Sequence, residues 1–303
     1  MIRSVIICLL VFLSLPSNTS AQSCVGNPVA VQVLGSGGSR VNDRASSSYL
    51  LWIDAQARIL VDMGGGAFLR FGQAQAKHSD LLLVAISHLH PDHVSDLPAL
   101  LWLTHQDQAR KAPLPIVGPS GNDVAPSFPT FLSRLFDEKS GAFQVLGPTL
   151  GATPPKRGGG VRLDVGVVDV TKAEPSIVFD RQEVTVTALG IPHGNLPTLA
   201  YRVQTRDASI VFSSDQTGTN PRFVEFAKGA NVLVMHLAIG AGRTSRLHAA
   251  PAVVGRVAQE AGVGRLIVSH IGLFDLDAAI AELKKFYTGP LTVGADLQCT
   301  QVQ

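Results

Sequence analysis

The sequence lacks an excess of charge of either sign, and it lacks apolar runs long enough to span a membrane. Charged residues make up 16% of the 303 residues and the formal net charge is only +2, which gives little long-range attraction for nucleic acid. The apolar stretch at residues 5–15 is too short to cross a bilayer, so we expect no integral membrane segment. The 46% hydrophobic content is typical of a compact globular chain, and a small-molecule substrate is favoured.

The start of the chain has the pattern of an export signal. Arg3 provides a positive charge, residues 5–15 form the apolar region, and residues 19–21 are the small side chains that a signal peptidase reads. We expect residues 1–21 to be cleaved off, which leaves 22–303 as a single domain in the periplasm or outside the cell.

Cysteine is scarce. The predicted cleavage removes Cys8 and leaves Cys24 and Cys299 near opposite ends of the mature chain. In an oxidising compartment these two residues could pair, and we hypothesise a disulfide that ties the first strand to the last segment. The alternative is two unrelated surface thiols.

Hydrophobic patterning divides the chain into two similar halves. Each half opens with strands and continues with helices and continuous apolar runs, such as residues 81–86 and 232–235, that are typical of buried strands. Strands followed by helices, twice over, predict an α/β fold, a four-layer αββα sandwich. Residues 106–176, rich in Pro and Gly, are the least regular part and are interpreted as a variable insertion.

Four metal-competent side chains lie within six residues, directly after the buried run at 81–86. They are His88, His90, Asp92 and His93. Zinc accepts neutral imidazole and carboxylate, and a loop that leaves a rigid strand can direct alternate side chains toward two neighbouring ions. Since open α/β folds gather their sites at strand ends, this motif predicts a metal site.

The H-x-H-x-D-H motif is the signature of the metallo-β-lactamase-fold hydrolases, and the chain most resembles their ribonuclease Z-like phosphodiesterase branch. The resemblance covers nearly the whole mature chain. Besides the motif, the segments that carry it are residues 33–38 (opening strand and turn), 61–64 (a D-x-G element), 192–194 with 197–202 (third metal histidine), 212–215 (bridging aspartate) and 269–270 (last ligand). Pro91 departs from the pattern, because the branch commonly has glycine there.

The resemblance implies a centre of two zinc ions. The implied ligands are His88, His90 and His193 for one zinc and Asp92, His93 and His270 for the other, with Asp215 as the bridge. A shared water would ionise near neutral pH and attack, while the metals stabilise the charge on the substrate oxygens. Manganese or iron in place of zinc is left open.

A further histidine and two arginines complete the predicted site. His248 matches a non-ligand histidine of the branch that is thought to protonate the leaving group, although it could instead cap or pack the following helix. Asp92 could assist as a proton acceptor. Arg243 and Arg246 precede His248 in a Gly-rich stretch and could reach an anionic substrate group or be solvated loop residues. His236 has no motif support and is predicted to be structural, with support of a ligand as the alternative.

The function implied for the branch, tRNA 3′ processing, fits this chain poorly. The chain carries a predicted export signal and little net charge, and the interval from His193 to Asp215 is too short for the branch's tRNA-gripping arm. We therefore predict hydrolysis of a small anionic ester, in particular a phosphodiester, with a cyclic nucleotide as one candidate. The sequence leaves the oligomeric state open, and a homodimer is compatible with it.

Other reactions remain as alternatives. Arylsulfate hydrolysis is the first, because exported relatives use the same ligand types. A glyoxalase II-like thioesterase is disfavoured by the long interval from His93 to His193 and by the absence of a separate C-terminal helical domain. A β-lactamase or lactonase is weaker, because zinc β-lactamases hold the second ion with a cysteine where this chain has Asp215. A non-catalytic metal-binding module is disfavoured by the complete ligand set.

Overall fold

The structure is a computed structural model that describes residue 24 and residues 28–106, 112–151 and 160–302. The predicted export signal at residues 1–21 lies outside the described residues. Within them, the strands form two seven-stranded mixed sheets.

The first sheet combines the N-terminal strands with the last strand of the chain. Its strands are β1 (Val29–Gly35), β2 (Ser48–Ile53), β3 (Gln56–Val61), β4 (Leu83–Ala85), β5 (Leu114–Pro119), β6 (Leu163–Val168) and β14 (Cys299–Gln301). The order is β14-β1-β2-β3-β4-β5-β6. Pairing is antiparallel from β14 to β3 and parallel from β3 to β6, where longer connections replace the hairpins.

The second sheet repeats this arrangement. Its strands are β7 (Ser176–Arg181), β8 (Val184–Ile191), β9 (Thr198–Gln204), β10 (Ser209–Phe212), β11 (Val232–His236), β12 (Arg265–Ser269) and β13 (Leu291–Val293). The order is β13-β12-β11-β10-β9-β8-β7. Strands β7 to β10 are antiparallel, and β10 to β13 are parallel.

Helices cover the outer face of each sheet. They are α1 (Ala67–Gln73), α2 (Pro91–Val94), α3 (Leu97–Gln106), α4 (Phe128–Phe136), α5 (Pro221–Ala227), α6 (Pro251–Glu260) and α7 (Leu276–Leu283). Proline in the first turn and side-chain N-caps at Ser127 and Asn220 begin α4 and α5, because these residues satisfy or remove the free N–H groups of a helix start. Asp275 caps α7 in the same way.

Three apolar layers hold the four structural layers together. One lies between the two sheets and contains Tyr49, Ile59, Phe212 and Ile267. A second joins the first sheet to its helices, and a third joins the second sheet to α5, α6 and α7. The predicted αββα sandwich is confirmed.

The region predicted to be a variable insertion, 106–176, contains regular structure. Strands β5 and β6 lie in it and extend the parallel part of the first sheet. The sequence does not predict β6, β7 or β14. These strands lie at the edges of the two sheets, where about half the residues face solvent and the apolar pattern is weak. That the region varies within the family stays a prediction.

The C-terminal segment closes the first sheet. The structure has the hypothesised disulfide between Cys24 and Cys299, with Cα atoms 5.6 Å apart. Nearby, the Asp296 carboxylate accepts hydrogen bonds from the backbone and hydroxyl of Ser36 and from Arg70. Among the described residues, no helix has the length and apolar character that a membrane crossing requires.

Candidate metal centre

One buried carboxylate positions the loop that follows β4. Asp62, just after β3, accepts hydrogen bonds from the backbone N–H of Ser87 (2.7 Å), the Ser87 hydroxyl (2.8 Å) and Nδ1 of His93 (2.8 Å). The backbone of Gly64 packs directly against the carbonyl of Asp92, where a Cβ atom would clash. The D-x-G element therefore sets the position of the whole metal-binding motif.

The first group of ligand atoms lies on one side of Asp215. His88 Nε2 is 3.1 Å from His90 Nδ1, and His193 Nε2 is 3.4 Å from the same atom. Asp215 Oδ2 lies 3.6 Å from His193 Nε2 and 3.9 Å from His88 Nε2. His88, His193 and Asp215 are buried, whereas His90 is half-buried, so this group has one side toward solvent.

The second group lies on the other side of the same carboxylate. His270 Nε2 is 3.2 Å from Asp92 Oδ2 and 3.3 Å from Asp215 Oδ1. His93 Nε2 lies 3.7 Å from both Asp92 Oδ2 and Asp215 Oδ2, and it is buried without a hydrogen-bond partner. The structure thus brings together all seven residues that the resemblance implies as ligands.

These distances fit two tetrahedral metal ions. Bonds of about 2.0–2.1 Å to nitrogen place neighbouring ligand atoms of a tetrahedral zinc about 3.3–3.4 Å apart. In the first group, the Nδ1–H of His193 donates to the carbonyl of Leu247 at 2.9 Å, which leaves Nε2 free to bind. The Nδ1–H of His88 likewise meets the Ser87 hydroxyl at 3.0 Å, since that hydroxyl already donates to Asp62.

His236 lies among the ligands and contacts the bridge. The metal-competent groups within 4.8 Å of one another are His88, His90, His193 and Asp215, and His93, Asp215, His236 and His270. His236 Nδ1 donates to Asp215 Oδ1 at 2.6 Å, and its Nε2 accepts from the Tyr49 hydroxyl at 3.0 Å. Both nitrogens are therefore occupied, so His236 supports Asp215 and Asp92 completes the second group. This is the alternative that the sequence left open for His236.

Burial and neighbouring charges divide the imidazoles into two kinds. Burial lowers the pKa of His88 well below its usual value, and the nearby His93 adds to the effect. For His93 burial acts in the same direction, but the carboxylates of Asp62 and Asp215 outweigh it and raise the pKa. Burial alone would raise the pKa of Asp215. His270 and the neighbouring imidazoles outweigh burial and hold this pKa well below its usual value. Four of the predicted ligand imidazoles lie 3.3 to 3.9 Å from the ionised Asp215 carboxylate, those of His88, His93, His193 and His270. They form with it a donor set suited to a divalent cation.

Backbone strain is concentrated at the ends of the strands that form the centre. Asp62, Ser214 and His270 have φ angles of 60°, 51° and 54°, in the left-handed region that costs a non-glycine residue about 1–2 kcal/mol. They follow β3, β10 and β12, where the chain turns to direct side chains toward the same point. Such strain is common at functional sites, where the surrounding structure maintains it.

Of the other predicted site residues, His248 lies beside the ligands. His248 Nδ1 is 3.9 Å from Asp215 Oδ2, and the His248 ring lies between those of His193 and His270, at 5.3 and 5.7 Å. Burial lowers the pKa of His248 to about 4. Arg243 and Arg246 are both exposed, and Arg243 lines a neighbouring pocket.

Comparisons with known proteins agree with this fold. A family model described as the beta-lactamase superfamily domain matches residues 57–271. Ribonuclease Z of Mycobacterium sp. (strain KMS) is 31% identical over 260 residues, which cover 80% of this chain and 84% of that protein.

Solved structures show the same fold at lower identity. The metallo-β-lactamase fold protein YhfI from Bacillus subtilis aligns with a TM-score of 0.69 and 21% identity, covering 90% of this chain and 99% of that one. The short form of human tRNase Z aligns with a TM-score of 0.70 and 18% identity over the same shares. The chain therefore belongs to the beta-lactamase superfamily and is a homologue of ribonuclease Z. Within that class it is a metal-dependent hydrolase, as the sequence analysis predicted.

Proposed function

We propose that this protein is an exported hydrolase that uses two zinc ions to cleave a small anionic ester, most specifically a phosphodiester. The observation that carries the proposal is the position of Asp215 Oδ2, which lies 3.6 Å from His193 Nε2 of the first group and 3.7 Å from His93 Nε2 of the second. A carboxylate shared between two complete ligand groups is the arrangement expected of a two-metal site, which stabilises both the attacking and the leaving oxygen.

Two residues of the chain would transfer protons in the reaction, beside the chemistry that the metal ions supply. Zinc ions at this centre would lower the pKa of a shared water and neutralise the charge that develops on the substrate oxygens. Asp92 Oδ2, 3.2 Å from His270, is the carboxylate suited to accept a proton from that water. His248 has a buried Nδ1 without a hydrogen-bond partner among the described residues, and this nitrogen lies 3.9 Å from Asp215 Oδ2. In its protonated form, the imidazole would donate a proton to the leaving-group oxygen.

The form of the second sheet supports a small substrate. The interval from His193 to Asp215 consists of a tight turn, β9, the short connection 205–208 and β10. All of these residues belong to the sheet or its turns, so the interval holds no protruding arm that would grip a folded RNA. The formal net charge of +2 supports the same proposal, because affinity for nucleic acid depends strongly on positive charge.

Export is supported by the disulfide between Cys24 and Cys299. Disulfides persist in oxidising compartments and are rare in the cytosol. We propose that residues 1–21 direct the chain to the periplasm or out of the cell. Mass spectrometry of the protein recovered from the periplasm or medium would detect a new N-terminus at residue 22, and an intact cytosolic chain would contradict export.

Metal analysis and a substrate panel test the proposed activity. We expect two equivalents of zinc per chain and turnover of bis(p-nitrophenyl) phosphate, with loss of both after treatment with a chelator. Cyclic AMP, p-nitrophenyl sulfate, a thioester and nitrocefin would be assayed beside it. Turnover of p-nitrophenyl sulfate far above that of bis(p-nitrophenyl) phosphate would show that the protein is an arylsulfatase and contradict the proposed phosphodiesterase activity. Two equivalents of manganese or iron would correct the identity of the metal and leave the reaction unchanged.

A further inference from the structure

A second cavity lies beside the metal centre. It has a volume of about 500 Å³ and is formed by the loops that follow β1, β11 and β12. Its polar lining includes Arg40 and Arg243, and its apolar lining includes Ile239, Leu273 and Phe274. The two loops from the second sheet are the ones that carry His248 and His270.

The cavity and the metal centre share a wall. The backbone of Gly38 packs against the His270 ring so closely that a Cβ atom would clash. Arg40 follows two residues later, within about 7 Å of Gly38 along the chain. The same loop is fixed to the residue after His270, because Ile271 donates its N–H to Ser36 at 2.8 Å and accepts from the Asn42 amide at 3.2 Å.

The two arginines are available to a ligand. Among the residues that the structure describes, neither guanidinium has an ion pair or a hydrogen bond, and both side chains are exposed. The carboxylate of Asp275 also lines the cavity, but it caps α7 by accepting from Ala278 N–H at 3.0 Å. The loop that carries Arg243 is fixed to α7, because Gly242 N–H donates to Glu282 at 2.7 Å.

The apolar wall has a defined form. Phe274 packs against Gly240, where a Cβ atom would lie 2.9 Å from the Cβ of the phenylalanine. Leu273 is 65% exposed, so an apolar surface faces solvent directly beside two unpaired guanidinium groups. An occupant that matches both features has an apolar or aromatic body and a negative charge at its far end.

We propose that this cavity binds the non-reacting half of the substrate, and that this half carries an anionic group of its own. The inference rests on the proposed phosphodiesterase activity and narrows its substrate class to phosphodiesters with a second anion. Arg40 and Arg243 would determine specificity by pairing with that anion, while the scissile phosphate lies at the metal centre. A cyclic mononucleotide, with one charge, would be a poor substrate.

Two substrates that differ only in the second anion test the proposal. They are thymidine 5′-(p-nitrophenyl phosphate) and its 3′-phosphorylated form. We expect the zinc-loaded wild type to prefer the 3′-phosphorylated form in kcat/KM, and Arg40→Gln and Arg243→Gln each to reduce that preference about three- to tenfold. The control is Arg222→Gln, an exposed arginine of α5 outside the cavity, which should keep the preference.

The outcomes separate the inference from the activity on which it rests. Turnover of both substrates at equal efficiency overturns the inference but not the phosphodiesterase. A preference that both variants retain also overturns it, because the second anion would then be recognised elsewhere.

If neither substrate is turned over, the proposed phosphodiesterase activity is wrong, and a binding measurement then tests the proposed anion site. Calorimetry with thymidine 3′,5′-bisphosphate and thymidine 5′-monophosphate should then show tighter binding of the bisphosphate. The variant that combines Arg40→Gln with Arg243→Gln should lose this difference in affinity. Equal binding of the two nucleotides overturns the cavity's assignment.

Discussion

The two sheets contribute to the metal centre in different ways. The first sheet provides its ligands from one continuous loop, residues 88–93, which a single buried carboxylate holds in place through three hydrogen bonds. The second sheet provides His193, Asp215 and His270 from three separate strand ends. The loop therefore depends on contacts with the segment that follows β3 in the same sheet, whereas the dispersed ligands depend on the pairing of β8 to β12.

Substitutions in the two sheets should therefore affect the ligands differently. A substitution behind the loop should disturb several ligands at once and partially, because they move together. A substitution among the dispersed ligands should remove one contact completely and leave the others in position. Asp215 is the exception in the second sheet, since its carboxylate lies between both ligand groups.

The largest effect is expected at Asp215, the dispersed ligand on which both groups depend. Asp215→Ala should lower kcat/KM by more than about a thousandfold, because the variant loses the bridge and the anion that offsets the surrounding imidazoles. Metal content should fall below two equivalents per chain. Asp169→Ala, which changes an exposed carboxylate outside both ligand groups, is the control. Retention of two metals with activity within tenfold of the wild type would remove Asp215 from its bridging role.

His248 tests whether the second sheet contributes chemistry besides ligands. His248→Ala should keep two metals and lower kcat about a hundredfold for a poor leaving group such as an alkyl alcohol, because the leaving oxygen then departs without a proton. For p-nitrophenolate, which leaves readily as an anion, the loss should be much smaller. An equal loss for both leaving groups would instead indicate that the imidazole has a packing role at the start of α6.

The sequence predicted the ligands of the continuous loop more directly than the three dispersed ligands. The loop His88 to His93 is local, so its spacing alone indicated a metal site. His193, Asp215 and His270 are far apart in the chain, and only the resemblance to ribonuclease Z-like proteins connected them. The support from His236 was left open, because it depends on a contact with Tyr49 across 187 residues and between two sheets. No periodicity in the sequence encodes such a contact.

The fold shows a similar limit. The bounds of β2 and α4 can be predicted from the sequence, because their apolar patterns are strong and clear turn or cap residues flank them. Strands β6, β7 and β14 were not predicted, since each is a sheet edge with partly exposed side chains. Their stability comes from pairing with distant strands, which intrinsic preferences report poorly.

Asp62 tests the local contact behind the loop. Asp62→Asn keeps the size of the side chain but loses the charge and one acceptor, so Ser87 and His93 lose part of their support. We expect the affinity for both metals to fall about 10–100-fold and the free energy of unfolding of the metal-free protein to fall by about 2–3 kcal/mol. Calorimetric metal titration measures the affinity, and urea unfolding measures the free energy of unfolding.

The matched control for that variant is Asp96→Asn. Asp96 accepts a backbone hydrogen bond from Phe68 at 2.9 Å, outside the metal loop. This control should cost stability and leave metal affinity intact. If Asp62→Asn weakened only one of the two metals, the loop would not move as a unit, and the contrast between the sheets would have to be revised.

The smallest effect is expected at Tyr49, which supports the bridge through His236. Tyr49→Phe removes the hydroxyl that donates to His236 Nε2, so the tautomer that donates to Asp215 is no longer fixed. We expect a three- to fivefold loss of metal affinity and a loss of about 1 kcal/mol of stability. Tyr201→Phe is the control, because Tyr201 is equally buried and donates to the carbonyl of Ile86 at 2.7 Å without touching the centre. Both variants should lose similar stability, and only Tyr49→Phe should lose metal affinity; equal affinities would make the contact between the sheets purely structural.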